Sequence, residues 1–258
     1  MGAGHAHALY VRRDSVVHRL PPHCKIVATV GFVLAVAITP RHEVWAFAAY
    51  ALLLAGVTVV ARIPFGTVLR RMVIEIPFVA FAFFLPFVAR GERVEVLGLA
   101  LSVDGLWGAF GILAKGTLGV VASILLAATT EPRTLLLGVE RLGLPPLLTQ
   151  IATFMFRYLD VVADELRRMR IARAARGFEA RDLRDAKVLA RSLGALFLRC
   201  FERGERVHLA MLSRGYDGAM PVLAEVGASR RQWALSAALP AAAGLVAAAA
   251  WMAVWTLR

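Results

Sequence analysis

The chain has 258 residues, 59% of them apolar, a mean hydropathy of +0.66 and a formal net charge of +12. That apolar share exceeds the roughly 45–50% of soluble domains, and it is gathered into runs able to span about 30 Å of hydrocarbon, which excludes a soluble globular protein. The charge does not indicate a nucleic-acid partner: residues 130–231 hold 18 of the 30 Lys and Arg together with 12 of the 18 Asp and Glu, and no aromatic-plus-basic platform accompanies them.

Five apolar stretches read as membrane-spanning helices. The first runs from Lys25 to Thr39 and ends at Pro40; the second is Val44 to Ala61. The third, Met72 to Ala89, carries Pro77 and Pro86, which spanning helices tolerate where neighbours satisfy the freed carbonyls. The fourth is Gly105 to Ala128, and the fifth, Trp233 to Leu257, is free of charge. Pro21 and Pro22 interrupt the amino-terminal segment, so it does not read as a cleavable signal. Cys24 and Cys200 are too few for a disulfide framework, and neither has metal-ligand spacing around it.

Lys/Arg bias sets the expected orientation. The head (Arg12, Arg13, Arg19, Lys25) and the second short loop (Arg62, Arg70, Arg71) are basic, whereas the loops at Arg41–Glu43 and Arg90–Asp104 are balanced or acidic. An amino terminus on the inside then places residues 130–231 inside too. The expected organisation is a membrane bundle of about four spans (1–129), a cytoplasmic helical region (130–231) and a last transmembrane helix (232–258). Gly105, Gly108, Gly111, Gly116 and Gly119, with the alanines of the fifth span, suit close backbone approach in lipid, either within the bundle or against another membrane subunit.

Within the insert, Leu142-Gly143-Leu144-Pro145-Pro146 breaks one amphipathic piece from the next. A long helix is expected from Leu147 to Arg176, its apolar face marked by Tyr158, Val162, Leu166 and Met169. Asp164 and Glu165 stand four and three residues before Arg168, spacings suited to ion pairs. A second runs from Asp185 to Ser213, with a stripe of Leu189, Leu193, Leu196, Cys200, Val207 and Met211 and a Glu202–Arg206 pair. Each helix ends in a matching tripeptide, Ala175-Arg176-Gly177 and Ser213-Arg214-Gly215. One copy reads as an ordinary glycine cap with a dipole-complementing arginine. Two copies, on two long helices of one insert, indicate two docking points for soluble partners.

These residues resemble a known family. Asp14-Ser15-Val16-Val17-His18-Arg19-Leu20 with Lys25, Leu142-Gly143-Leu144-Pro145, Arg157-Tyr158 with Glu165, Ala174-Ala175-Arg176-Gly177-Phe178, Glu202-Arg203-Gly204-Glu205-Arg206 and Ser213-Arg214-Gly215-Tyr216-Asp217-Gly218 are similar to the T component of energy-coupling factor transporters, most closely its cobalt-transport CbiQ branch. The resemblance implies an all-α polytopic protein of the bacterial inner membrane. It further implies a non-catalytic scaffold that joins two cassette ATPase subunits to a substrate-binding membrane subunit for cobalt, with a small auxiliary membrane subunit as a further companion and lipid around it. Ala175, Arg176, Gly177, Ser213, Arg214 and Gly215 would then be the ATPase-coupling residues. Nickel or a vitamin is the alternative substrate. The sequence departs from the family at Pro21-Pro22-His23-Cys24, with little functional consequence expected.

No phosphate-binding loop is present, because Lys115-Gly116-Thr117 has the wrong preceding frame; the energy must come from a partner. No catalytic residue, cofactor or resident metal is expected. His5 and His7, with His18 and His23, resemble a loose metal tail only weakly, since no carboxylate or thiolate pattern completes them. Glu75 is expected to snorkel near the inner boundary, and Lys115, near mid-membrane, to meet a partner or freed carbonyls. A secondary transporter would carry paired charges across several spans, and a membrane enzyme a clustered polar site; neither pattern is visible.

Overall fold

Apolar content decides where the helices form, and prolines and glycines decide where they stop. The computed structural model describes residues 10–89, 93–96, 99–178, 182, 185–218 and 227–256. Helix α1 (Pro22–Ile38) is followed by α2 (Val44–Val60), α3 (Phe65–Arg71), a 3₁₀ turn (Met72–Glu75) and α4 (Ile76–Val88). A short hairpin, β1 (Arg93–Val96) and β2 (Leu99–Ser102), leads to α5 (Val103–Thr129) and α6 (Pro132–Arg141). Then come α7 (Pro146–Ala175), α8 (Ala186–Leu212) and α9 (Arg230–Thr256). The protein is all-α and multi-pass.

The helices fall into two compact units. The bundle unit comprises α1 to α6 and α9. Its core is the meeting of α1, α2, α5 and α9 through Phe32, Tyr50, Leu54, Leu118, Ala122 and Ala247. Tyr50 is fully buried; its hydroxyl lies 2.8 Å from Thr39 Oγ1 and 3.3 Å from the Ala243 carbonyl. The second unit contains α7 and α8.

Among the described residues, three helical segments are long and apolar enough to cross a membrane: Phe65–Val88, Val103–Thr129 and Arg230–Thr256. Helices α1 and α2 have 17 residues each, about 26 Å at a rise of about 1.5 Å per residue, the short end of the spanning range. All five apolar stretches of the sequence reading are helical, though their edges move. The third begins at Phe65 rather than Met72, so Arg70 and Arg71 belong to the last turn of α3 and not to a loop. The fifth begins one turn earlier, at Arg230, and Leu257 lies outside the described residues.

Proline explains the break in the third segment. Pro77 has no N–H to offer the Val73 carbonyl one turn back. The Ile76 N–H serves that carbonyl instead, as a 3₁₀ turn. Glu75, in this turn, does not snorkel. It is only 4% exposed and accepts a hydrogen bond from Thr117 Oγ1 of α5 at 2.5 Å. Lys115 donates to the Ala37 carbonyl at 2.7 Å, one of the acceptors left over where α1 stops before Pro40. Trp251 Nε1 covers the next one, Ile38, at 3.2 Å.

The glycines of α5 serve the bundle where α4 crosses. A Cβ on Gly105 would stand 2.7 Å from Pro86 Cα, and one on Gly108 2.8 Å from Leu85. Gly119 has open space beside it. The rest of α4 is apolar and exposed, with Phe78, Phe81, Phe83 and Phe84 outward, as befits a helix surrounded by hydrocarbon.

Candidate functional site

Helices α7 and α8 end in the same turn. The Gly177 N–H donates to the Ala174 carbonyl at 2.9 Å, and the Phe178 N–H reaches the Arg173 carbonyl at 3.0 Å. In the second copy Gly215 donates to Leu212 and Tyr216 to Met211, both at 3.0 Å. This nested pair is the Schellman turn, which requires a left-handed residue at the glycine position. Gly177 and Gly215 meet that need with φ of 75° and 82°. Ala175 matches Ser213, whose hydroxyl turns inward to the Ala210 carbonyl at 3.0 Å. Arg176 matches Arg214, each exposed and immediately before its glycine. An aromatic residue, Phe178 or Tyr216, follows each.

The two tips lie at opposite ends of their unit. Tyr216 donates its hydroxyl to Gln150 Oε1 at 2.8 Å, and Gln150 Nε2 donates to the Gly218 carbonyl at 3.2 Å. Farther along, Arg199 of α8 pairs with Glu165 of α7. Residue 150 opposes 216 and residue 165 opposes 199, so the helices run antiparallel over this stretch. The Arg214 tip therefore sits beside the start of α7, and Arg176 ends that same helix. At about 1.5 Å per residue the tips are roughly 40 Å apart.

Some polar pairs differ from those expected of the helix surface. Asp164 pairs with Arg167 at 2.5 Å rather than with Arg168. Glu165 faces α8 and is spent between helices. Glu202 and Arg206 are paired at 4.0 Å, as the spacing predicts. Gln150, Tyr216 and Arg199 carry the arrangement of the two tips, and Gln150 and Arg199 did not stand out in the sequence. Cross-helix partners leave no local spacing; only the Tyr216-Asp217-Gly218 stretch after the second tip hinted at them.

The apolar faces of this unit are largely uncovered. Ile151, Met155 and Ile171 of α7 and Phe197, Phe201 and Leu209 of α8 are all exposed, while Leu196 is the buried residue of α8. Large apolar side chains left in the open in this number suit a place for another protein or a membrane. Of the histidines weighed for metal binding, His18 lies 3.1 Å from the Val11 carbonyl and 2.7 Å from Ser15 Oγ. His23 packs against Trp233 with rings 5.5 Å apart. His5 and His7 lie outside the described residues.

A multi-pass helical membrane protein with an antiparallel two-helix module, tipped at both ends by the same arginine turn, is the class these features define. The family model for the cobalt transport protein CbiQ matches residues 13–223, and the chain belongs to that family. It is also similar to proteins named energy-coupling factor transporter transmembrane protein EcfT. The one from Bacillus selenitireducens is 30% identical over 223 residues, covering 81% of this chain and 82% of the relative. Those from Lactococcus lactis (28%) and Thermosediminibacter oceani (26%) each cover 81% of this chain and 83% of their own length.

Proposed function

We propose that this chain is the transmembrane coupling subunit of an ATP-driven importer of the energy-coupling factor type, with cobalt ions as cargo. It binds no nucleotide; two cassette ATPase subunits supply the energy. Arg176 seats in one and Arg214 in the other, and the α7–α8 module passes their movement to a substrate-binding membrane subunit. In this reading the amino-terminal segment and the module face the cytoplasm.

The observation that carries the proposal is the pair of equivalent arginine tips at opposite ends of an antiparallel module. Two like partners ask for two like contacts, well separated. The guanidinium suits that contact, since its planar fork meets a carboxylate through two parallel hydrogen bonds. The Schellman turn holds the backbone behind each arginine, so a push on the tip moves the whole helix. The exposed apolar faces supply surface for the substrate-binding subunit. Cobalt follows the family description, and the relatives' names supply the transporter type.

Co-purification with the ATPases tests this reading. Arg176→Glu and Arg214→Glu should each weaken retention, by about 10- to 100-fold if a charged hydrogen-bonded pair is lost, and together they should abolish it. A double variant that still binds the ATPases and supports full uptake would refute it. Uptake of Co²⁺ against Ni²⁺ by the assembled transporter decides the cargo.

A further inference from the structure

Four consecutive residues at the start of α1 grip the chain on both sides of the α7–α8 module. Helix α6 leads the chain to that module, and α9 receives it on return. Pro22 and His23 meet α6 at Gly138, where a Cβ would stand 2.9 Å from the His23 backbone nitrogen and 2.9 Å from Pro22 Cβ. His23 packs its ring on Trp233 in the first turn of α9, with the buried Cys24 next to it in the chain. Lys25 closes the set. Its ammonium donates to the Thr129 carbonyl and to Thr130 Oγ1, both at 2.9 Å, and to the His18 carbonyl at 3.4 Å.

The α1 residues that make these contacts are all buried. His23 and Lys25 are both 6% exposed, and Cys24 is fully covered. A buried ammonium is costly unless all three of its donors are met; here all three are. Two of the acceptors belong to the corner between α5 and α6, where the α5 carbonyls have no further helical partner and a cation is favoured by the helix dipole. The Val11 N–H adds a bond to the Ala128 carbonyl at 3.0 Å. This corner is pinned by directional bonds and by a glycine contact without slack.

The geometry points to Pro22–Lys25 as a transmission clamp: it ties the exit and the return of the module's chain to α1, so that displacement of the module is delivered to the bundle instead of being absorbed at α6 and the start of α9. Lys25 and Gly138 are positioning residues that touch neither nucleotide nor cargo. The inference rests on the coupling role proposed above.

The test uses the assembled transporter in proteoliposomes, with ATP hydrolysis and Co²⁺ uptake measured together. Lys25→Met removes the three hydrogen bonds at nearly constant volume, and Lys25→Arg keeps the charge and the donors. Gly138→Ala forces α6 outward by a few tenths of an ångström, and Gly138→Leu by more. Thr130→Val, the mildest change, removes one acceptor. Variants that keep the wild-type melting temperature should retain the ATPases and hydrolyse ATP, while uptake per ATP falls by roughly 2- to 30-fold. Lys25→Arg should recover part of the loss, and Gly138→Leu should exceed Gly138→Ala. Unchanged uptake per ATP in folded Lys25→Met, Gly138→Ala and Thr130→Val would overturn the clamp, as would losses that follow melting temperature alone. Failure of the coupling role itself looks different, because the wild-type chain would then not retain the ATPases.

Discussion

His18 shows how a residue read as a structural member of a family-like stretch acquires a measurable consequence. Its ring sits between the Val11 carbonyl and the Ser15 hydroxyl, an arrangement the neutral imidazole satisfies by donating from Nε2 and accepting at Nδ1. Burial holds its pKa below the ordinary 6.5, with Lys25 lowering it further. The folded state thus takes up the proton less readily than the unfolded chain. The stabilisation it brings is complete above about pH 6.5 and is lost as the pH falls from there through the depressed folded value. The melting temperature of the detergent-solubilised protein should fall between pH 7 and pH 5, and His18→Asn should flatten that fall. Parallel curves for both proteins would remove His18 from the explanation. Asp14 contributes nothing in this window: Arg19 lowers its pKa below 3.8, and both side chains stand in solvent.

Among the elements, the contact between α1 and α9 is vulnerable to a single substitution. Gly31 lies against Pro240, whose Cβ would stand 2.9 Å from an added Cβ. Pro240 cannot yield easily, because its ring fixes the local helix backbone. Gly31→Val should therefore destabilise the bundle by about 1–3 kcal/mol, the usual cost of forcing volume into a packed contact. Thermal unfolding measures it, and a variant as stable as the wild type would show that α9 can shift away. Some elements escaped the sequence reading for physical reasons. The hairpin pairs Arg93 with Ser102 and Val96 with Leu99, eight short residues whose ladder is set by each other and not by a local pattern. The 3₁₀ turn before Pro77 was foreseeable as a disturbance, yet only the tertiary contact with Thr117 says why Glu75 stays inside.

At the scale of the molecule, the division into a bundle and a two-helix module locates what each substitution should disturb. Tyr216→Phe removes the bond that fastens the second tip to Gln150 at the opposite end of α7 from Arg176. A net hydrogen bond is worth about 1 kcal/mol, so ATPase retention through the Arg214 tip should weaken by roughly fivefold. Combined with Arg176→Glu, which leaves only that tip, the loss should become plain in pull-down assays. Combined with Arg214→Glu, it should add little. Equal effects in both backgrounds would contradict the separation of the two tips.

Composition and periodicity by themselves determined the membrane class, the long helices and the two matched arginine turns, since apolar runs, helical stripes and left-handed glycines are properties of neighbours in the chain. Tertiary structure decided the rest. That the module's helices run antiparallel, with one arginine at each end, depends on Tyr216 meeting Gln150 and Arg199 meeting Glu165, residues more than thirty apart. That Lys25 is a buried anchor and not part of a basic, solvent-facing head depends on the Thr129 carbonyl and the Thr130 hydroxyl, both over a hundred residues away. A charge carries no mark in sequence of whether it will be solvated or enclosed; only the packing that brings its acceptors together settles it.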